Sequence, residues 1–292
     1  MQPHGSSVRR SRLGIVAAAT VLLIVAALGS ASAAGRAPAS IDGSHHRRSL
    51  PGPVACPGCY APALRTSWQW QLQFPVDTTI DVDLYDVDAF NVKTSLVTQL
   101  HADGRKVVCY FSAGSWENWR PDKHEFPAAV LGRSNGWPGE KWLDIRRIGV
   151  LGPIMKARLD LCEAKGFDAV EFDNVDGYQN RTGFPLTGAQ QLRYDVFLAN
   201  QAHRRGMSAV LKNDLGQIKT LLPYFDFALN EQCYQYHECN RLNPFVNAGK
   251  AVFGVEYKLD RPDFCPQANA ANFNFLKKRL GLGPWRQPCR GR

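Results

Sequence analysis

GFDAVEFDNVDGY, from Gly166 to Tyr178, is a short β-type run that ends in acidic residues. Because side chains of a strand alternate between its two faces, Ala169, Glu171 and Asp173 share one face. Two carboxylates on a buried face are costly unless they are paired, hydrogen-bonded or used in chemistry. The stretch therefore predicts a site at the carboxyl end of a strand, as in parallel α/β barrels. The alternative is an Asp-rich turn closed by Gly177.

Seven further β-type runs flank this one, mostly separated by helical stretches. With the central run they cover residues 67–72, 80–85, 106–111, 141–145, 167–172, 208–214, 225–232 and 251–257. Helices are predicted over residues 89–102, 152–165, 188–205 and 269–280, the last with Asn269 as its N-cap. This order predicts an α/β protein with a single (β/α)8 TIM-like barrel.

Polar side chains concentrate at or just past the carboxyl ends of the predicted strands, where barrel enzymes form their active sites. Two carboxylates that face a common mouth suit cleavage of a glycosidic bond, one protonated and the other ionised. Asp173 and Glu231, which end the fifth and seventh predicted strands, are the best pair, and Glu256 is the reserve candidate.

Aromatic side chains beside these strand ends offer flat faces to sugar rings. Each alone would more commonly pack in the core, but around an acid-rich mouth they favour a polysaccharide groove. The predicted substrate-binding residues are Trp68, Trp70, Asp83, Tyr85, Tyr110, Ser112, Glu171, Asn174, Asp176, Tyr178, Lys212, Asn213, Glu256 and Tyr257.

Other chemistries find no support in the sequence. It contains neither a G-x-S-x-G nucleophile elbow nor an H-E-x-x-H zinc motif. The histidines outside the N-terminal region are dispersed, so neither a metal nor another cofactor is predicted. The formal charge is +9, and it falls to +6 without the three arginines of residues 1–34. Such a modest, unclustered excess does not indicate nucleic-acid binding.

The N-terminus has the pattern of an export signal. Basic Arg9, Arg10 and Arg12 precede an apolar run, and small residues follow, so cleavage is expected after Ala33 or Ala34. An uncleaved anchor is the alternative, but the apolar run is short for a bilayer span. The arginine pair leaves a twin-arginine route open. We thus predict a signal peptide (1–34), a flexible leader (35–62) and a secreted barrel domain (63–292), with no stable membrane insertion.

Eight cysteines behind a signal peptide predict up to four disulfides. Their connectivity stays open, because eight cysteines allow 105 pairings. Cys233 and Cys239 are close enough in sequence for a local pair. Cys56 and Cys59 have zinc-like spacing but no second ligand pair, which favours a disulfide.

Three stretches together resemble glycoside hydrolase family 114, the endo-α-1,4-polygalactosaminidases. They are WQWQL at residues 68–72, the central stretch at 166–178 and LNEQC at 229–233, and the resemblance runs from about residue 65 to the end. It implies a TIM-like barrel that hydrolyses α-1,4-linked galactosamine polymers, with the acidic pair on Asp173 and Glu231. Glu171 departs from relatives that carry Asp, which leaves open which acid of the central strand is catalytic.

Our hypothesis makes Asp173 the nucleophile and Glu231 the general acid/base. The expected partner is a galactosamine-containing polysaccharide, whose positive charge suits an acidic mouth. Two alternatives remain at this point: a hydrolase of another α-linked polysaccharide, and a secreted carbohydrate-binding barrel without catalysis.

Overall fold

Eight parallel strands form one nearly closed barrel-like sheet in the computed structural model, which describes residues 49–291. The strands in chain order are β1 Trp68–Gln71, β2 Leu84–Asp88, β3 Lys106–Ser112, β4 Ser115–Glu117, β5 Glu140–Trp142, β6 Ala169–Asp173, β7 Ser208–Lys212, β8 Phe227–Glu231, β9 Val252–Glu256, β10 Asn274–Lys278 and β11 Arg286–Pro288. The barrel order is β1-β2-β3-β6-β7-β8-β9-β10, and β11 pairs antiparallel with β10. Strands β4 and β5 form a separate antiparallel hairpin.

Helices cover the outside of the barrel. They are α1 Thr94–Ala102, α2 Ile148–Lys165, α3 Gly188–His203, α4 Ile218–Leu221, α5 Asn243–Asn247 and α6 Arg261–Ala270, with short 3-10 turns at Lys123–Glu125, Ala128–Val130, Gly177–Gln179 and Cys239–Leu242.

Side chains join the first and last parallel strands at the seam of the barrel. Trp68 Nε1 donates to the carbonyl of Asn274 at 2.9 Å, and Lys278 Nζ donates to Gln69 Oε1 at 3.1 Å. The carboxyl ends of all eight strands therefore surround one opening, as the predicted fold requires.

Strand alternation sorts the side chains into two layers. Ala169 packs in the cluster that fills the barrel interior, whereas Val170 and Phe172 pack in the outer layer beneath the helices. Glu171 and Asp173 follow Ala169 on the inner face, which confirms the predicted shared face.

The predicted fourth strand is not part of the barrel. Residues 141–145 overlap β5, which pairs with β4 so that Glu117 stands opposite Glu140. A short run with one tryptophan between charged residues suits a half-exposed hairpin as well as a barrel strand. The segment between β3 and α2 thus adds a hairpin to the barrel.

The predicted last helix, residues 269–280, is wrong, because this part of the chain forms β10, the eighth barrel strand. Phe275 packs in the outer layer and Leu276 in the barrel interior, so successive side chains alternate between two faces as they do in a strand. The helix lies earlier, as α6, where Asp260 N donates to Asp263 Oδ2 at 3.1 Å and helps to fix its start.

The last part of the predicted leader is tied to the barrel. Val54 N donates to Asn200 Oδ1 at 2.8 Å, Tyr224 donates to the carbonyl of Pro51, and Ser208 donates to that of Tyr60. Residues 51–60, which the predicted leader includes, therefore contact the barrel domain. The predicted signal peptide lies outside the described residues.

Four disulfides join the eight cysteines. The pairs are Cys56–Cys59, Cys109–Cys162, Cys233–Cys239 and Cys265–Cys289. They include the expected local pair and confirm a disulfide, not a metal, at the first two cysteines. Within residues 49–291, no helix combines the length and apolar character needed to cross a bilayer.

Candidate active site

The carboxyl ends of the parallel strands open into a cleft of about 430 Å³. Asp173 is the last residue of β6 and Glu231 is the last residue of β8, and both line this cleft. They end the fourth and sixth barrel strands, not the fifth and seventh, because the predicted fourth strand lies in the hairpin. The two strands flank β7, so the two acids still stand on either side of one strand.

Lys212, the last residue of β7, connects the two carboxylates. Its Nζ lies 2.9 Å from Asp173 Oδ1 and 3.3 Å from Glu231 Oε2. The same atom lies 3.0 Å from Glu171 Oε1 and sits over the ring of Trp70, 4.6 Å from its centroid. Because the lysine side chain is buried, solvent screens these attractions little. One ammonium group therefore fixes the spacing of the two acids.

Asp173 is held ionised. Burial raises the pKa of its carboxyl, but the charge and hydrogen bond of Lys212, a hydrogen bond from Tyr110 and one from the Asn174 backbone outweigh burial and lower it. Tyr110 donates to Oδ2 at 2.8 Å and Asn174 N donates to Oδ1 at 2.8 Å. Burial also disfavours the charged form of Lys212 and so lowers its pKa, but the charges of Asp173, Glu171 and Glu231 raise that pKa well above its ordinary value. The two groups thus stay oppositely charged.

Glu231 has a different set of partners. Tyr257 donates to its Oε1 at 2.5 Å, and Asn213 Nδ2 lies 3.4 Å from its Oε2. The same asparagine accepts from the backbone N–H of Glu231 at 3.0 Å. Asn213 has a positive φ of 52°, a backbone conformation that asparagine tolerates better than most residues. The turn after β7 therefore positions the carboxylate that ends β8.

Glu171 lies below the cleft in the barrel interior, where it contacts Lys212 and is fully buried. Burial raises the pKa of Glu171, and burial together with the Glu171 carboxyl raises that of Asp86 well above its ordinary value. Asp86 is thus the member of this buried pair that takes up a proton more readily. Since Glu171 lies beneath the cleft, Asp173 is the acid of the central strand that reaches the opening.

Asp176 also lines the cleft, as predicted for a substrate-binding residue. Burial and the charge of Asp173 raise the pKa of its carboxyl to about 6. Of the other predicted substrate-binding residues, the structure brings six to the cleft: Trp70, Tyr110, Asn174, Lys212, Asn213 and Tyr257.

Three predicted substrate-binding residues lie elsewhere. Trp68 is the first residue of β1, and its indole N–H donates a hydrogen bond to the carbonyl of Asn274, the first residue of β10. Trp68 therefore lies at the amino end of the barrel. Asp83 precedes β2 and accepts from Ser67, also at that end. Tyr85 faces the outer layer and donates to backbone carbonyls before β2. The predicted second strand ended too early, which misplaced the last two.

Three more predicted residues lie close to the cleft but do not line it. Glu256 faces the outer side of β9, because side chains alternate along the strand and those of Phe253 and Val255 point into the barrel. Its carboxylate accepts a hydrogen bond from Tyr234 N at 2.8 Å. The hydroxyl of Tyr178 lies against the turn after β7. Ser112 is buried and accepts from Asn174 Nδ2 at 3.0 Å, so it supports a cleft residue.

The hairpin builds a wall of the cleft that the sequence did not reveal. It contributes Glu117, Trp119, Arg120, Trp137, Glu140 and Trp142 to the lining. The polar and aromatic loop after β3 was the available signal, but its residues could not be placed without the pairing of β4 with β5. Across residues 49–291, no group of three or more His, Cys, Asp or Glu is arranged to hold a metal ion.

Comparisons with known proteins identify the family of this chain and support its fold. The sequence profile of glycoside hydrolase family GH114 matches residues 53–292. The crystal structure of Aspergillus fumigatus Ega3 in complex with galactosamine is 42% identical, covers 79% of this chain and 97% of that chain, and superposes with a TM-score of 0.76. The glycoside hydrolase domain of Pseudomonas aeruginosa PelA is 13% identical with a TM-score of 0.60, over 77% of this chain and 97% of that one. The PelA likeness shows the fold alone.

An uncharacterized protein of Deinococcus radiodurans is 29% identical over 184 residues, which is 53% of this chain and 57% of that protein. The chain thus matches little more than half of that relative's length. The fold and the acidic cleft define a glycoside hydrolase with a TIM-like barrel. The chain belongs to glycoside hydrolase family GH114.

Proposed function

We propose that this glycoside hydrolase is a secreted, endo-acting enzyme that cleaves α-1,4-linked galactosamine polymers, with Asp173 as nucleophile and Glu231 as general acid/base. The observation that carries the proposal is the single lysine that joins these two carboxylates at the base of an open cleft.

The state of Asp173 suits a nucleophile. A nucleophile must be ionised before substrate binds, and Lys212 and Tyr110 stabilise the charged form. The carboxylate oxygens of Asp173 and Glu231 that face Lys212 cannot be farther apart than their two distances to Nζ combined. That limit on the two facing oxygens is compatible with the carboxyl separation of about 5–5.5 Å that a retaining enzyme requires.

The surroundings of Glu231 suit the residue that exchanges a proton with the leaving group. Its Oε1 is bonded to a tyrosine hydroxyl and its Oε2 contacts Lys212. Transfer of its proton to the glycosidic oxygen would leave a carboxylate that Tyr257 and Lys212 stabilise. The same carboxylate would then activate the water that releases the sugar from Asp173.

The charge of the cleft suits a cationic polymer. Among residues 49–291, six carboxylates line it, against two cationic side chains, Arg120 and Lys212. This acidic groove contrasts with the formal charge of +9 on the chain. The bound galactosamine in the Ega3 structure supports the same class of sugar. Four disulfides support secretion, since disulfides persist in oxidising compartments.

A substrate panel tests the proposal. The purified protein is incubated with de-N-acetylated α-1,4-galactosamine polymer, with its N-acetylated form and with neutral α-linked polysaccharides, and new reducing ends and product lengths are measured. We expect mid-chain cleavage of the first polymer. Cleavage of a neutral polymer alone would instead support the broader alternative, a hydrolase of another α-linked polysaccharide.

Variants test the two roles. Asp173→Ala and Glu231→Ala should each lower kcat by about 10³-fold or more, whereas Asp103→Asn, on an exposed residue after α1, should leave it unchanged. Added azide distinguishes the roles. It should yield a β-glycosyl azide with Asp173→Ala and an α-glycosyl azide with Glu231→Ala, because only the second variant still forms the covalent intermediate. Wild-type activity in either variant would disprove the assignment.

A further inference from the structure

Exposed aromatic residues mark the outer part of the hairpin wall. Trp119 follows β4 and is 51% exposed, and Trp137 precedes β5 and is 50% exposed. Both line the cleft. Exposed tryptophan is unusual, since so large an apolar side chain is normally buried to a high degree. Their common position at the mouth indicates a surface that another molecule covers.

Neighbouring contacts hold this surface rigid. Asn118 N donates to the carbonyl of Gly139 at 3.0 Å, which continues the β4–β5 pairing beyond the strands. Arg120, next to Trp119, is buried and forms ion pairs with Glu117 and Asp88, each at 2.6 Å. A rigid platform needs little ordering when it binds a ligand, which increases affinity.

A carboxylate with neutral partners stands on the same wall. Glu140, the first residue of β5, accepts hydrogen bonds from Ser115 at 2.7 Å and Asn135 at 2.6 Å, and it lines the cleft. It forms no ion pair with any cation of residues 49–291, whereas the neighbouring Glu117 is paired with Arg120. Glu140 therefore presents negative charge to whatever fills this part of the cleft.

We infer that the β4–β5 hairpin carries a distal amino-sugar subsite. In this subsite Trp119 and Trp137 stack on pyranose rings, and Glu140 binds the ammonium substituent of a sugar unit. The occupant is a further unit of the same polymer, because the platform is continuous with the cleft that holds Asp173 and Glu231. Flat apolar faces suit sugar rings, and a carboxylate that is not paired with a cation suits an ammonium group better than an acetamide. This inference rests on the proposed function.

The subsite should make activity depend on chain length. The test measures kcat/KM on α-1,4-galactosamine oligomers, from the shortest one that the wild-type enzyme cleaves to long polymer. Trp119→Ala and Trp137→Ala should each lower kcat/KM on long oligomers by about 3- to 10-fold, a typical loss for one aromatic contact. On the shortest oligomer they should match the wild type within about twofold.

Glu140→Gln keeps the shape of the side chain and removes its charge. It should lower kcat/KM on long oligomers by about 5- to 30-fold, less than for a fully buried charged hydrogen bond because Glu140 is partly exposed. It should also weaken the dependence of KM on salt, which the tryptophan variants should leave unchanged. Long oligomers with N-acetylated units should lose little from this substitution.

Tyr236→Ala is the matched control, because Tyr236 is 52% exposed and does not line the cleft. It should leave kcat/KM unchanged at every chain length. Equal losses on short and long oligomers, or no loss on long ones, would overturn the inference while leaving the proposed function intact. If the wild-type enzyme cleaves no galactosamine oligomer, the proposed function itself fails, and the distal amino-sugar subsite with it.

Discussion

Replacement of Lys212 by Met tests the centre of the active site most directly. The substitution keeps a long side chain but removes the charge that contacts Glu171, Asp173 and Glu231 at 3.0, 2.9 and 3.3 Å. These carboxylates then lack their common counter-ion. The pKa values of the buried Glu171 and Asp173 should rise, because burial favours the neutral form of an acid.

The size of the effect follows from burial. Removal of one partner from a buried ion pair typically costs about 3–5 kcal/mol, so we expect a loss of that order at pH 7. The loss should shrink towards pH 5, since carboxyls with raised pKa values take up protons and no longer need the ammonium group. In the wild type, the lowered pKa of Asp173 stabilises the fold above its ordinary pKa of 3.8 and loses that effect below it.

Thermal and denaturant unfolding at pH 7 and pH 5, together with a pH–rate profile, measure these effects. We expect kcat of Lys212→Met to fall about 100-fold or more and its acid limb to move to higher pH. The control is Lys106→Met, since Lys106 pairs with Asp168 at 2.7 Å through a half-exposed side chain and should lose less than about 1 kcal/mol. A Lys212→Met protein as stable as this control, with an unshifted profile, would refute the reasoning.

Three further predictions concern the surroundings of the catalytic pair. Tyr257→Phe removes the 2.5 Å hydrogen bond to Glu231 and should lower kcat/KM about 10-fold without unfolding, as kinetics and circular dichroism would show. Gly114→Ala should lower both kcat and Tm, because the added Cβ would overlap the carbonyl of Asn174 next to Asp173. Burial raises the pKa of Glu256 from 4.5 to about 7, so the wild-type protein loses stability as the pH rises through this range. The Tm of Glu256→Gln should therefore increase relative to the Tm of the wild type between pH 5 and pH 8.

Each of these predictions has its own check. Tyr257→Phe with full activity would show that Glu231 needs no tyrosine. Gly149→Ala, at a helical glycine whose Cβ would meet no atom within 4 Å, should be neutral, and an equal loss there would remove the steric explanation. A constant Tm difference between the Glu256 variant and the wild type from pH 5 to pH 8 would contradict the raised pKa.

The fold was predictable where the pattern was long and both strand faces were buried. The run before Asp173 and the run before Glu231 both read as strands with polar ends, and both end at the cleft. The alternation of side chains along a strand also placed Glu171 and Asp173 on one face. These features depend on local periodicity, which a sequence displays directly.

Other features depend on pairing between distant segments. The predicted second strand stopped at residue 85, whereas β2 runs from Leu84 to Asp88, so Tyr85 and Asp83 were placed near a mouth that they do not reach. Glu256 is the last residue of β9, but the alternation of side chains along the strand points it away from the cleft. Trp119 and Trp137 line the cleft together only because β4 pairs with β5. No local pattern encodes such long-range register.

The anchorage of residues 51–60 places this segment at one end of the barrel. Their partners Asn200, Ser208 and Tyr224 lie at the end of α3, the start of β7 and just before β8, which is the base opposite the groove. A surface linkage introduced within this segment, for example at the exposed Ala55, would thus be attached at the base. Immobilisation through such a linkage should therefore leave the groove open to long polymer chains.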